Sequence, residues 1–236
     1  MGKGEIIMTR DELRAQIEQL QGHEMSNNAF KKLKKEELEK MLNDLTPSID
    51  SEGLKKLTIC FTGRRPKDLW GYEHDAYIPL VNQLKEVLKT LNAVGYCRCI
   101  SGGAQGFDQI AFWAVNSLKK EGYYFENIVY VPFKGQSSVW KEVGLFSQKE
   151  YNLMLGLADK VVYVGEKTSE EKSEINDLMY NRNHAMVDNS DLVIGLYPDK
   201  SWEKADKPSG TAECLRYAKE QNKRILQIAP QTLTII

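Results

Sequence analysis

The chain has 236 residues, 42% hydrophobic and 28% charged, and its 32 basic residues nearly cancel 33 acidic ones to leave a formal charge of −1. That balance argues against coating a long polyanion or an acidic membrane by bulk electrostatics, although a local cluster of arginines stays compatible with it. No apolar run approaches the roughly 18–20 residues of a membrane helix, and the start MGKGEIIMTRDEL lacks the apolar core of a signal peptide. A cytoplasmic protein without a membrane partner is expected. The four cysteines make no disulfide framework, and His23, His74 and His184 show no ligand spacing with them. Neither a metal nor another cofactor is expected.

Residues 1–55 read as a helical appendage. Thr9 with Glu12 three residues on fits a capping box. Leu13, Ile17 and Leu20 then recur at helical spacing to about Gly22. Residues 26–28 read as a loop, and Leu38, Met41, Leu42 and Leu45 line a second helix that Thr46-Pro47-Ser48 ends. The pair resembles small helix–extended-loop–helix and SAP-like modules, some of which bind nucleic acid. Its charges balance with no basic face, which favours a hairpin for docking or self-association.

From residue 56 to 236 the period changes. Short apolar runs at 57–61, 96–100, 128–133, 160–164, 192–197 and 225–228 predict strands. Between them, helical spacing covers about 75–92, 107–121, 147–158, 171–188 and 212–221, with Met179 and Met186 seven apart on what reads as a core face. Strands alternating with helices predict an α/β fold, a Rossmann-like doubly wound parallel sheet. The tail Leu233-Thr234-Ile235-Ile236 reads as an added strand or a self-association surface, and a homo-oligomer is expected.

In such sheets ligands bind beyond the carboxyl ends of the strands, and the unusual residues gather there. The first predicted strand runs into Thr62, Gly63, Arg64 and Arg65, of which one arginine is expected in a site, supplying fixed positive charge to a phosphate. The second runs into Ser101, Gly102, Gly103, Gln105, Gly106 and Asp108. Glycines there allow close backbone approach, and the following helix start suits an anion. Asp108 reads either as an acceptor for a ribose hydroxyl or as a carboxylate compensating the helix dipole. The third leads to Phe133, Gln136 and Trp140, an amide and a ring able to meet a base, although Trp140 reads first as packing. Ser209, Gly210 and Thr211 form another strand-to-helix junction. Arg182 and Asn183 sit on a helix where a polar pair would ordinarily face solvent, and Cys214 reads as a buried apolar residue.

ICFTGRRP (59–66), SGGAQGFD (101–108), VPF with Gln136 and Trp140, YNRNHAMVDNSDLVIGLY (180–197) and SGT (209–211) together resemble the YpsA-like family of the SLOG superfamily. That superfamily joins the DNA-processing protein DprA to the LOG phosphoribohydrolases. The resemblance spans about residues 57–229. It implies a Rossmann-like domain whose pocket handles nucleotides, with Ser101–Gly106 and Gly210–Thr211 as pocket loops. Arg182 matches the LOG arginine.

The departures concern the chemistry. The usual GHRP becomes Gly63-Arg64-Arg65-Pro66, and Cys214 stands at the place of the LOG catalytic glutamate. Glu213 comes one position early, about 100° round a helix. The expected function is therefore binding of a nucleotide or nucleotide-derived signal, ADP-ribose-like or cyclic, by a sensor or sequestering protein. The alternative is an N-glycosidic or phosphate-bond hydrolase, with Asp108, Arg182 and Glu213 as candidate catalytic residues. A second alternative is DprA-like single-strand DNA binding, which the neutral charge disfavours.

Overall fold

A computed structural model describes residues 9–11, 13, 14, 18, 26–32, 34–38, 56–140, 144–204 and 209–236. The chain divides into two compact units, Met1–Leu54 and Lys55–Ile236.

In the larger unit the elements follow in the order β1 (Leu57–Gly63), α1 (Ile78–Asn92), β2 (Tyr96–Ser101), α2 (Phe107–Lys120), β3 (Glu126–Val131) and α3 (Gln148–Leu157). The order continues with β4 (Lys160–Tyr163), α4 (Lys172–Asp188), β5 (Leu192–Leu196), α5 (Gly210–Glu220) and β6 (Arg224–Ile228). The six strands form one sheet in the order β4-β3-β2-β1-β5-β6, and every pairing is parallel. The chain thus steps outward from β1 to β4, returns through α4, and places β5 on the other flank of β1. This is the α/β, doubly wound arrangement expected from the alternation of periods.

Side chains alternate across β1, so Ile59 and Phe61 face one layer while Cys60 faces the other. Ile59, Phe61 and Ile194 pack with Leu84 and Leu88 of α1 and Phe107 and Ala111 of α2. Cys60, Ile100 and Val193 pack with Met186 and Val187 of α4 and Leu215 and Ala218 of α5. Each fully buried large apolar side chain contributes about 1.5–3 kcal/mol, so these two layers carry the fold. The tail turns back on the outer strand. Ile235 bridges Ile228 antiparallel, and the N–H of Ile236 donates to the Gln227 carbonyl at 3.0 Å.

Strand boundaries move by about two residues from the sequence expectation. β1 extends through Thr62 and Gly63, held by pairing with Gly195 and Leu196 of β5. β3 starts earlier and ends before Pro132, which has no N–H to give a ladder. Among the described residues no helix is long and apolar enough to cross a membrane.

In the smaller unit, Asn27 and Asn28 belong to a helix, Asn27–Lys32, where the sequence suggests a loop. The Ser26 carbonyl accepts from Phe30 N at 3.0 Å, so the short polar residues open the helix instead of interrupting it. Leu13 and Leu38 are buried, and the Arg10 and Arg14 guanidinium groups lie 4.8 and 4.9 Å from the Phe30 ring centre. The readings of Glu12, Ile17, Leu20, Gly22, Met41, Leu42 and residues 45–48 fall outside the described residues.

Candidate functional site

Where the strand order reverses, a cavity of about 440 Å³ opens at the carboxyl edge of the sheet. The end of β1 and the following turn give it Thr62, Gly63, Arg64, Arg65, Lys67 and Asp68. The β2–α2 junction gives Ala104 and Asp108, and α4 gives Asn176, Met179, Tyr180, Arg182 and Asn183. Ser209, Gly210 and Thr211 at the start of α5 complete it. Four cations therefore meet two carboxylates. Both Arg64 and Arg65 are present, where one was expected.

The floor is a buried ion pair. Arg182 and Asp108 are 4% and 6% exposed, with Arg182 Nη1 3.6 Å from Asp108 Oδ2. The Arg182 guanidinium also donates to the Gly102 carbonyl. Burial drives the Asp108 carboxyl above the usual carboxylate range, against the pull of Arg182, Arg65 and the backbone N–H groups of Ala104 and Gly102. Burial likewise lowers the Arg65 guanidinium, while Asp108 supports its charge and Arg182 opposes it. Arg182 Nε has no hydrogen-bond partner among the described residues, so one buried donor of a cavity-lining cation is unused. Arg182 and Asn183 are thus interior, correcting the expectation of a solvent-facing pair. The reason is that the Asp108 carboxylate and the Gly102 carbonyl hold the Arg182 guanidinium inside.

The β1 side is tied to α5. Arg64 donates to Ser209 Oγ at 3.3 Å and lies 3.5 Å from Asp68. Thr211 Oγ1 donates to the Gly63 carbonyl at 2.7 Å. Ser209 caps α5, its Oγ accepting from Ala212 N at 3.3 Å. The first turn of α5 thereby presents its amide end to the cavity, and a Cβ at Gly210 would meet nothing nearer than Asn183 Nδ2 at 4.0 Å. A helix start beside fixed cations favours an anion.

The glycine-rich loop behaves differently. A Cβ on Gly102 would overlap Arg182 Nη1 and lie 2.7 Å from Asp108 Oδ2. Gly106, at φ +100°, would overlap the Arg64 carbonyl, and Gly103, at φ +65°, would press on the Tyr151 ring at 2.9 Å. These glycines admit the protein's own side chains and backbone.

The other residues singled out in the sequence do not line this cavity. Gln105 Nε2 donates to the Phe146 carbonyl at 2.7 Å. Ser101 and Gln136 are buried, each with a side-chain oxygen unpartnered among the described residues. Phe133 is buried under Lys167, and Trp140 packs edge-on to Tyr151 with centroids 4.9 Å apart. Glu213 turns toward α4, where its Oε1 is 2.5 Å from His184 Nε2. His184 in turn stacks on Tyr217 at 3.8 Å. Cys214 is fully buried and its thiol is pushed well above its ordinary value by burial, which leaves no thiolate nucleophile near neutral pH.

Sequence reasoning missed Lys67, Asp68, Asn176, Met179 and Tyr180. Met179 corrects a specific expectation. It shares a helix face with buried Met186, yet it lines the cavity and joins no apolar core cluster among the described residues. The signal available was Asn176, Met179, Tyr180 and Asn183 at i, i+3, i+4 and i+7.

Comparison with known proteins matches residues 59–233 to the YpsA family model, described as the YspA SLOG family. The chain is 39% identical over 130 residues to the uncharacterized SPbeta prophage-derived protein YoqJ of Bacillus subtilis, covering 52% of this chain and 70% of that one. It is 27% identical over 172 residues to UPF0398 protein lwe1908 of Listeria welshimeri, covering 72% and 89% respectively.

Proposed function

The chain belongs to the YpsA family of SLOG proteins, and from that membership and the cavity we propose that it binds a nucleotide or nucleotide-derived signal at the carboxyl edge of the sheet, as a sensor or sequestering protein. Family and parallel α/β fold together support a nucleotide-related role. The observation that carries the finer reading is the pairing of a cation-rich cavity with an open helix start at Gly210 and an unused buried donor on Arg182.

Binding is favoured over hydrolysis by the state of the candidate catalytic groups. Asp108 and Arg182 are committed to each other, and Glu213 is committed to His184. A general acid or base must reach the reacting atom directly or through one water. Of these three, Asp108 and Arg182 line the cavity and Glu213 does not.

The test is thermal shift of the full chain with nucleoside monophosphates, cyclic nucleotides, NAD and ADP-ribose, followed by chromatography of the recovered ligand. A stabilising ligand returned intact is expected, with the shift lost in Gly210→Asp, which sets a carboxylate at the α5 start without crowding the fold. A recovered free base or shortened product would replace this reading with hydrolysis. No stabilisation by any nucleotide at millimolar concentration would overturn both.

A further inference from the structure

A groove of about 820 Å³ lies between α1, α2 and α3 and shares no lining residue with the cavity at the strand ends. α2 gives it Ile110 and Trp113, α1 gives Ile78 and Val81, and α3 gives Leu153. The connection into α1 adds Tyr72 and Tyr77. Ile110 and Tyr77 are buried, whereas Tyr72, Ile78 and Leu153 are 36%, 44% and 49% exposed. The groove therefore has a buried apolar floor and exposed apolar edges. Leu157, one turn beyond Leu153, is exposed as well, so the apolar edge continues along α3. Contiguous apolar surface of this kind marks a place where something docks.

The charge of the groove is one-sided. Its ionisable lining residues are Glu73, His74 and Glu150, with no lysine or arginine among the described residues. Neither Glu73 nor Glu150 forms an ion pair among the described residues, and His74 Nδ1 sits 3.1 Å from the exposed Asp75 carboxylate. A second copy of the chain suits this surface poorly. A two-fold pairing would lay one concave groove over another and set carboxylates against carboxylates. An anionic bilayer would meet the same repulsion. A helix fits both shape and charge. Helices pack by laying ridges of side chains into the grooves between others, and an amphipathic helix carries apolar side chains at i, i+3, i+4 and i+7 over about 10 Å. Lysines or arginines beside that stripe would meet the unpaired carboxylates.

We propose that this groove is the docking site for a cationic amphipathic helix of a partner protein. The apolar stripe of that helix lies over Ile110 and Trp113, between Ile78 and Leu153, and its basic side chains lie beside Glu73 and Glu150. Neither Ile78 nor Leu153 belongs to an apolar core cluster among the described residues, so polar replacements there leave the fold in place.

Phage display of random peptides about four helical turns long, selected on the immobilised full chain, tests this. A fluorescein-labelled copy of the most enriched peptide is then titrated by anisotropy, with thermal melts showing that each variant is folded. Enriched sequences should combine lysine or arginine with apolar residues at i, i+3, i+4 and i+7. Ile78→Gln together with Leu153→Gln should weaken binding about tenfold or more. Glu73→Gln together with Glu150→Gln should weaken it about threefold, an effect that fades at high salt. No enrichment, enrichment of acidic peptides or of peptides without the stripe, or an unaltered affinity in either double variant overturns the assignment. Self-association of the unmodified chain in sedimentation equilibrium that disappears in the Ile78→Gln, Leu153→Gln variant gives the groove to a second copy and overturns it too.

Discussion

Two strand-to-helix junctions flank the cavity, and they use glycine for opposite purposes. At the β2–α2 junction the space a side chain would fill at Gly102 is taken by Arg182 and Asp108, and at Gly106 by the Arg64 carbonyl. At the β5–α5 junction Gly210 has open space before it. A glycine reports that something comes close, and the two junctions show that the something can be the protein itself. The loop with more glycines is the tighter piece of structure, and the plainer Ser-Gly-Thr start is the one left open.

The comparison breaks most sharply at Gly102. Gly102→Ala should cost about 3 kcal/mol or more, because it separates a buried arginine from its carboxylate and carbonyl partners. A change at Gly210 should stay within about 0.5 kcal/mol. Chemical denaturation of the two variants checks this, and equal stabilities would erase the distinction.

A smaller effect sharpens the picture of α5, whose first turn shows one side to the cavity and another to α4. His184→Ala removes the partner of Glu213 and the ring stacked on Tyr217. It should cost about 1 kcal/mol, or about 2–4 °C in Tm for a unit of this size, with nucleotide affinity retained. Lost affinity at unchanged Tm would instead put Glu213 in the site.

The smallest effect concerns the start of α4. Glu174 accepts from Thr168 N at 2.7 Å and Thr168 Oγ1 at 2.8 Å, and also from Ser169 Oγ. These bonds, that of Ser169 foremost, hold its carboxyl down at about 2. A carboxyl lowered in the folded state adds stability above its unfolded value of about 4.3 and loses it as the pH falls toward the folded one. Glu174→Gln should slightly lower stability at neutral pH and flatten the acid limb of the pH–stability curve between about pH 4 and 2, so that the two proteins converge at the acid end. An unaltered acid limb would remove Glu174 as an anchor of α4.

Most of the fold was legible because its cause is local and periodic. Apolar runs such as TICF and LVIGL sit fully buried in inner strands, and the helices between them keep their spacing. The crevice was legible from where Arg64, Arg65, Ser209 and Thr211 fall relative to those strands. Arg182 was not legible as a buried residue, since its partner Asp108 lies far away in the chain and charge alone reads as exposure. Met179 was misread because helical periodicity states which residues share a face, and not what each part of that face covers.

The returning tail has a consequence for solubility. A parallel sheet ends on each side in a strand with unused peptide groups, a template for pairing with other chains. Here one margin is the four-residue β4, too short to offer much. The other, β6, is partly occupied by the chain's own Ile235 and Ile236. Those two half-exposed isoleucines act as a selvedge: they take up part of the margin, and shortening the chain by a few residues would leave more of its peptide groups unused.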